Sequence, residues 1–236
     1  MARLQHERRA RKEHVTDDLS GQLVTVTSPD NAASEAYRTL RTNLLYALVD
    51  TPPKVIVVTS PSLMEGKSIT CANLGVVLAQ AHKSTLILDC DFRKPVIHKV
   101  FGLRNLLGVV DVLVGERSQQ EIWQEPLPGL KVGTAGSIPP NPTELLGSSG
   151  VAELLEQVRQ EFDYVLLDVP PMQLVSDPAI LATQADGVLL VIDSLKTRRS
   201  SARQAMRSLE VVGAYVLGTV VNNVKVSKDD LYDRGH

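Results

Sequence analysis

The chain has 236 residues, a net charge of −2, 43% hydrophobic residues and 22% charged residues. That length suits one large α/β domain with its own core, and the near-neutral charge argues against a nucleic-acid-binding surface. No run of about 18 apolar residues is available to span a bilayer, and the charged N-terminus does not read as a secretory signal.

In chain order, residues 1–20 are polar, with Arg3, Arg8, Arg9, Arg11 and Lys12, and read as a flexible tail. A helix is expected over Ala32–Leu48, where Tyr37, Leu40, Leu44 and Ala47 recur at helical spacing. Glu35, Arg38 and Thr42 fall on another of its faces. Pro52 and Pro53 end it. Strands are expected at Val55–Thr59, Thr85–Asp89, Leu130–Val132, Tyr164–Asp168, Val188–Ile192 and Val216–Val221, each nearly continuous in Val, Ile and Leu. Such runs suit strands of a mostly parallel sheet buried on both faces. Helices are expected between them at Ser68–Ala81, Val109–Val114, Pro142–Arg159, Pro178–Thr183 and Ser200–Val212. The alternation predicts a doubly wound α/β domain over 21–226, with ligands at the carboxyl ends of the strands. Residues 227–236 form a polar C-terminal tail.

Chemistry concentrates after the first strand. Ser60-Pro61-Ser62-Leu63-Met64-Glu65-Gly66-Lys67-Ser68 reads as a phosphate-binding loop opening a helix, although Pro61 stands where the usual pattern has glycine. Backbone N–H groups of such a loop surround nucleotide phosphates. Lys67 would reach the β- and γ-phosphates and the Ser68 hydroxyl would ligate Mg²⁺. The expected nucleotide contacts are Met64, Glu65, Gly66, Lys67, Ser68 and Ile69. The second strand ends in Asp89-Cys90-Asp91, which, if extended, places both carboxylates on one face beside a cation. The fourth ends in Asp168, the usual acidic partner of such a loop. Expected metal contacts are therefore Ser68, Asp89, Asp91 and Asp168. Cys71 and Cys90 are lone thiols without a metal-ligand pattern, as in a reduced cytoplasmic protein.

These segments carry a resemblance. Thr85–Pro95 (Thr-Leu-Ile-Leu-Asp-Cys-Asp-Phe-Arg-Lys-Pro) resembles the second Walker-type motif of the bacterial tyrosine kinases of capsule and exopolysaccharide synthesis. Asp163–Pro171 resembles their Walker B motif, and Ile138–Leu146 a segment typical of them. Ser34–Asn43 resembles their Glu-x-x-Arg-x-x-Arg oligomerisation helix, which implies Glu35, Arg38 and Arg41 as oligomerisation residues. The resemblance, from Ser34 to Val224, implies a P-loop fold, ATP and Mg²⁺ as cofactors, and transfer to protein tyrosines with Lys67, Asp89 and Asp91 catalytic. Asp89 would orient the tyrosine hydroxyl. It also implies homo-oligomers and a membrane adaptor of the polysaccharide chain-length regulator type, holding a cytoplasmic protein at the inner face of the membrane. Val220-Val221-Asn222 is similar to the strand end where related ATPases read adenine with Asn; a simple turn Asn is the other reading. Arg93 is either a phosphate or substrate contact or a structural ion pair.

The pattern departs from the family in two places. Leu63 and Met64 stand where members often have Pro and a small residue, and only Tyr232 follows Asn222 where members usually carry a tyrosine cluster. Tyr232 is the candidate phosphoacceptor. A positioning ATPase of the ParA or MinD kind would carry Lys at the place of Ser62, and a nucleotide-binding scaffold is the remaining alternative.

Overall fold

In the computed structural model, residues 19–46 and 52–224 are described. Most of the N-terminal tail, Ala47 and Leu48 of the expected first helix, and the C-terminal tail with Tyr232 lie outside them.

One seven-stranded sheet organises the chain: β1 (Val55–Thr59), β2 (Thr85–Asp89), β3 (Trp123–Leu127), β4 (Leu130–Gly133), β5 (Tyr164–Asp168), β6 (Gly187–Asp193) and β7 (Val216–Asn222). Its order is β3-β4-β2-β5-β1-β6-β7. Only the β3–β4 pair is antiparallel. Every residue of β1, β2 and β5 is buried. The pleat explains why these strands are apolar throughout: alternate side chains face opposite layers, and both layers are covered. Val55 and Val57 join a core with Leu154 and Leu181, while Ile56 and Val58 join a second with Leu74 and Leu78.

The helices are α1 (Val24–Thr27), α2 (Ala32–Tyr46), α3 (Lys67–Gln80), α4 (Ile97–Phe101), α5 (Val109–Leu113), α6 (Gln119–Ile122), α7 (Pro142–Leu146), α8 (Ser149–Glu161), α9 (Asp177–Ala182) and α10 (Arg199–Val211). Helix α3 follows β1, is buried from Thr70 to Ala79, and has α2 packed beside it. A helix enclosed on all sides is apolar all round.

The six expected strands are present to within a residue at each end. Three features differ from expectation. Strand β3 went unread because Trp123-Gln124-Glu125-Pro126-Leu127 is half polar; as an edge strand with an irregular register it tolerates Pro126. The single helix expected over Pro142–Arg159 is two helices, α7 and α8, because Ser148 is extended (ψ 160°) and starts the second. Short helices α1, α4 and α6 carry too few residues for a periodic signal.

Asp186, just before β6, stitches the amino ends of the sheet. Its Oδ2 accepts the amides of Lys54 and Val55, both at 2.8 Å, and Arg159 Nη1 donates to both carboxylate oxygens at 2.7 Å. Desolvation raises its pKa, but the Val55 amide and Arg159 outweigh it and hold the carboxyl below its usual value. A depressed folded-state pKa stabilises the fold above the unfolded value and loses that contribution as pH falls through it. Asp186→Asn is therefore expected to cost about 1–2 kcal/mol at pH 7, near the lower end because the pair is partly exposed. Urea titrations should show the gap to wild type closing as pH falls below about 4.

Candidate active site

Strand β1 lies between β5 and β6, so the loops after β1, β2, β5, β6 and β7 converge at one end of the sheet. The loop between β1 and α3 is anchored along its length. Thr59 Oγ1 donates to the Pro170 carbonyl at 2.7 Å, and the amides of Met172 and Gln173 donate back to Ser60 and Pro61. Glu65 is buried although charged: its Oε2 accepts the Ser62 amide at 2.9 Å and its Oε1 the Thr197 hydroxyl at 2.6 Å. Met64 (φ 60°) and Gly66 (φ 90°) both take the left-handed backbone conformation. For a non-glycine residue this costs about 1–2 kcal/mol, which the anchors must offset. The loop then leads directly into the N-terminus of α3, where backbone amides and the helix dipole favour an anion.

The charges around the loop form a compact set. Lys67 Nζ lies 2.9 Å from Asp91 Oδ2 and 3.2 Å from Asp168 Oδ1, and donates to Ser68 Oγ at 3.1 Å. Asp89 stands behind them, fully buried. Its Oδ2 accepts the amides of Val96 and Ile97 at 3.1 and 3.0 Å, and its Oδ1 that of Asp91 at 3.2 Å. Asp89 thereby starts α4 as well as facing the site. Burial disfavours the charged form of Lys67, but Asp168 and Asp91 overrule it and raise its pKa. Burial, then the charge on Asp168, push Asp89 well up; Lys67 and the Ile97 amide oppose this. Asp168 is also raised by burial, against Lys67 and the Ser68 hydroxyl. Cys71 and Cys90 are free, and burial pushes both thiols up, so they remain neutral packing residues.

The expected extended Asp89–Asp91 pair is corrected here. Strand β2 stops at Asp89, and Asp91 sits in a turn closed by its Oδ1 accepting the Lys94 amide at 3.0 Å. The two acids thus address different groups. Among the described residues, no group of three or more His, Cys, Asp or Glu side chains forms a ready metal cage. Mg²⁺ needs none, since it keeps waters and takes one or two carboxylates plus phosphate oxygens. The donors fit such an ion: Asp168 Oδ2 is buried with no hydrogen-bond partner, and Lys67 already occupies a cation's place between Asp91 and Asp168.

The model of the CobQ/CobB/MinD/ParA nucleotide binding domain matches residues 56–234. The tyrosine-protein kinase YwqD of Bacillus subtilis is 41% identical over 215 residues, covering 91% of both chains. Among solved structures, the kinase domain of the Escherichia coli tyrosine kinase ETK aligns with a TM-score of 0.81 at 30% identity, over 87% of this chain and 82% of that one. The chimerical protein CapA2B2 aligns at 0.84 and 33%, over 87% and 91%. The chain belongs to the bacterial tyrosine kinases. Some kinases of this family are longer, and the chain spans about 29% of their length.

Within the kinase fold, Lys67, Ser68, Asp91 and Asp168 come together and Asp89 lies directly behind. Gly66, Lys67, Ser68 and Ile69 turn the loop into α3, while the Met64 side chain is 84% exposed and points away from the core. Glu65 contributes backbone at the loop, its side chain being engaged with Ser62 and Thr197. The oligomerisation residues separate. Glu35 and Arg38 pair at 2.9 Å near the start of α2, whereas Arg41 turns to α3 and donates to the Val77 carbonyl at 3.1 Å. Arg93 is a structural clamp: Nε meets Asp177 Oδ2 at 3.0 Å, Nη2 donates to Thr143 at 2.8 Å, and Thr143 donates to Asp177 at 2.6 Å. Thr143, Asp177 and Thr197 went unread because their partners are distant in sequence; only the Asn141-Pro142-Thr143 and Ser176-Asp177-Pro178 helix starts hinted at them.

No helix of the described residues is long and apolar enough to cross a membrane.

Proposed function

We propose that the protein transfers the γ-phosphoryl group of Mg·ATP to protein tyrosines in the control of capsule or exopolysaccharide synthesis. The observation that carries this reading is the buried set of Lys67, Asp91 and Asp168 at the mouth of an anchored phosphate loop, with Asp89 behind it. Mg²⁺, held by Ser68 with Asp168 and Asp91, would neutralise phosphate charge. Lys67 would leave its carboxylate partners for the β- and γ-phosphates, which the loop amides would cradle. Asp89 orients the tyrosine hydroxyl and takes its proton late, because a loose phosphoryl-transfer transition state requires little early deprotonation.

A membrane adaptor of the chain-length regulator type, homo-oligomers, and a place at the inner face of the membrane complete the proposal. Tyr232 is the proposed acceptor in this chain. Incubation with γ-labelled ATP, Mg²⁺ and the cytoplasmic segment of such an adaptor tests it, with mass spectrometry locating the label. Phosphotyrosine on the chain or on an added partner is expected. ATP hydrolysis with no phosphotyrosine on any protein would overturn the kinase assignment. Tyr164 is 4% exposed and should stay unlabelled, while Tyr46 and Tyr215 are exposed and deserve inspection beside Tyr232.

Self-association is proposed to use Glu35 and Arg38, whose side chains reach solvent. Arg41 is a poor probe, since its guanidinium is also engaged by the Val77 carbonyl of α3. Sedimentation of a Glu35→Ala, Arg38→Ala double variant should shift mass toward monomer by at least about tenfold in dissociation constant, or about 1.4 kcal/mol.

A further inference from the structure

The Asn222 side chain stands at the end of edge strand β7, and both protons of its amide are engaged. Nδ2 donates to the Glu65 carbonyl at 2.9 Å and to Thr70 Oγ1 at 3.2 Å. An Asn that reads adenine needs both a donor and an acceptor; here only Oδ1 remains without a partner among the described residues. Gly66 permits the approach, because a Cβ at that position would collide with Nδ2. Thr70, one turn into α3, is fully buried. A continuous line of hydrogen bonds thus runs Thr70–Asn222–Glu65, joining α3, β7 and the phosphate loop.

The loop needs such support. Two of the three residues before Lys67 are left-handed, and Met64 is largely exposed. Its anchors are polar, and they meet at Glu65: the side chain is held by Ser62 and Thr197, and the carbonyl by Asn222. The Gly66 N–H shares a peptide plane with the Glu65 carbonyl and points opposite to it, so holding that carbonyl fixes the direction of an amide that phosphate oxygens would meet.

We propose that Asn222, backed by Thr70, is a positioning residue for the phosphate loop, so that it contributes to binding of any polyphosphate irrespective of base. The inference rests on the reading that this loop binds nucleoside triphosphates.

Calorimetry with Mg·ATP, Mg·GTP and Mg·tripolyphosphate tests it on wild type, Asn222→Ala, Thr70→Val and the double variant. Asn222→Ala is expected to weaken all three by a similar factor of about 10, leaving the ATP-to-GTP ratio unchanged. Thr70→Val keeps the shape of the side chain without its acceptor and is expected to weaken all three by about 2–5-fold. In the Asn222→Ala background it should add nothing, because the line is already cut. Loss of ATP affinity with tripolyphosphate unaffected would make Asn222 a base reader and overturn the proposal. Should Asn222→Ala melt too low to use, Thr70→Val alone decides: unchanged tripolyphosphate affinity there overturns the proposal. Failure of wild type to bind any of the three would overturn the phosphate-loop reading itself, which distinguishes the two failures.

Discussion

Replacing Lys67 with Met is expected to remove most nucleotide affinity and also to weaken the fold. The affinity loss comes from charge-assisted contacts to two phosphates, about 2–4 kcal/mol or roughly 30- to 1000-fold. The stability loss comes from the buried charges. Lys67 is the counter-charge for Asp91 and Asp168, and their side chains are at most 6% exposed. Breaking a buried pair by removing one partner costs about 3–5 kcal/mol, less whatever the acids recover by taking up protons. The pH dependence follows from that uptake. Asp89 and Asp168 are already raised with Lys67 in place, and they rise further without it. An acid with a raised folded-state pKa binds more protons folded than unfolded, so stability falls as pH rises through that pKa. The deficit of Lys67→Met should therefore be largest near pH 8 and shrink toward pH 5. Divalent cations should also reduce it, by replacing the ammonium. Thermal melts across pH, with and without Mg²⁺, check both statements. Equal melting temperatures for wild type and variant at pH 8 would show that the ion pairs contribute nothing.

Asp89→Asn is expected to lower phosphotransfer by about 10²- to 10⁴-fold, the range of a lost general acid–base group, while Mg·ATP affinity stays within a few-fold. The Lys67 contacts do not pass through Asp89, which faces the Val96, Ile97 and Asp91 amides. Stability should change little, because two effects oppose. Asparagine presents its NH₂ to a backbone amide that needs an acceptor, which costs about 1–3 kcal/mol. It also removes a buried negative charge beside Asp168. Single-turnover transfer, calorimetry and melting on one preparation separate these terms. Transfer at the wild-type rate would remove Asp89 from the chemistry and leave it as the starter of α4.

Lys67→Met separates what local pattern reveals from what it hides. Read from the sequence, the lysine is a phosphate ligand; read in the folded chain, it is also the neutralising charge of a buried cluster. The Gly66-Lys67-Ser68 turn announces itself because strand, loop and helix N-terminus are contiguous, so the chemistry is written in adjacent residues. The partners of Lys67 lie at the ends of two other strands, and their acidic character was legible while their distances were not.

Chain-local physics determined most of the rest of the fold. Strands buried on both faces must be apolar throughout, so the Val, Ile and Leu runs marked β1, β2, β4, β5 and β6 without tertiary knowledge. Of the two edge strands, β7 still carries such a run, whereas Gln124, Glu125 and Pro126 interrupt β3. The turn at Asp91, the paths of Arg41 and Arg93, and the engagement of Asn222 with Glu65 were decided only by tertiary structure. The physical reason is the same for each. A polar side chain takes the best-matched partner that packing brings within about 3 Å, and which groups come that close depends on how distant segments meet. The sequence by itself determined the phosphate loop, the acids that face it and the layered α/β sheet; the folded chain decided which partner each of those groups takes.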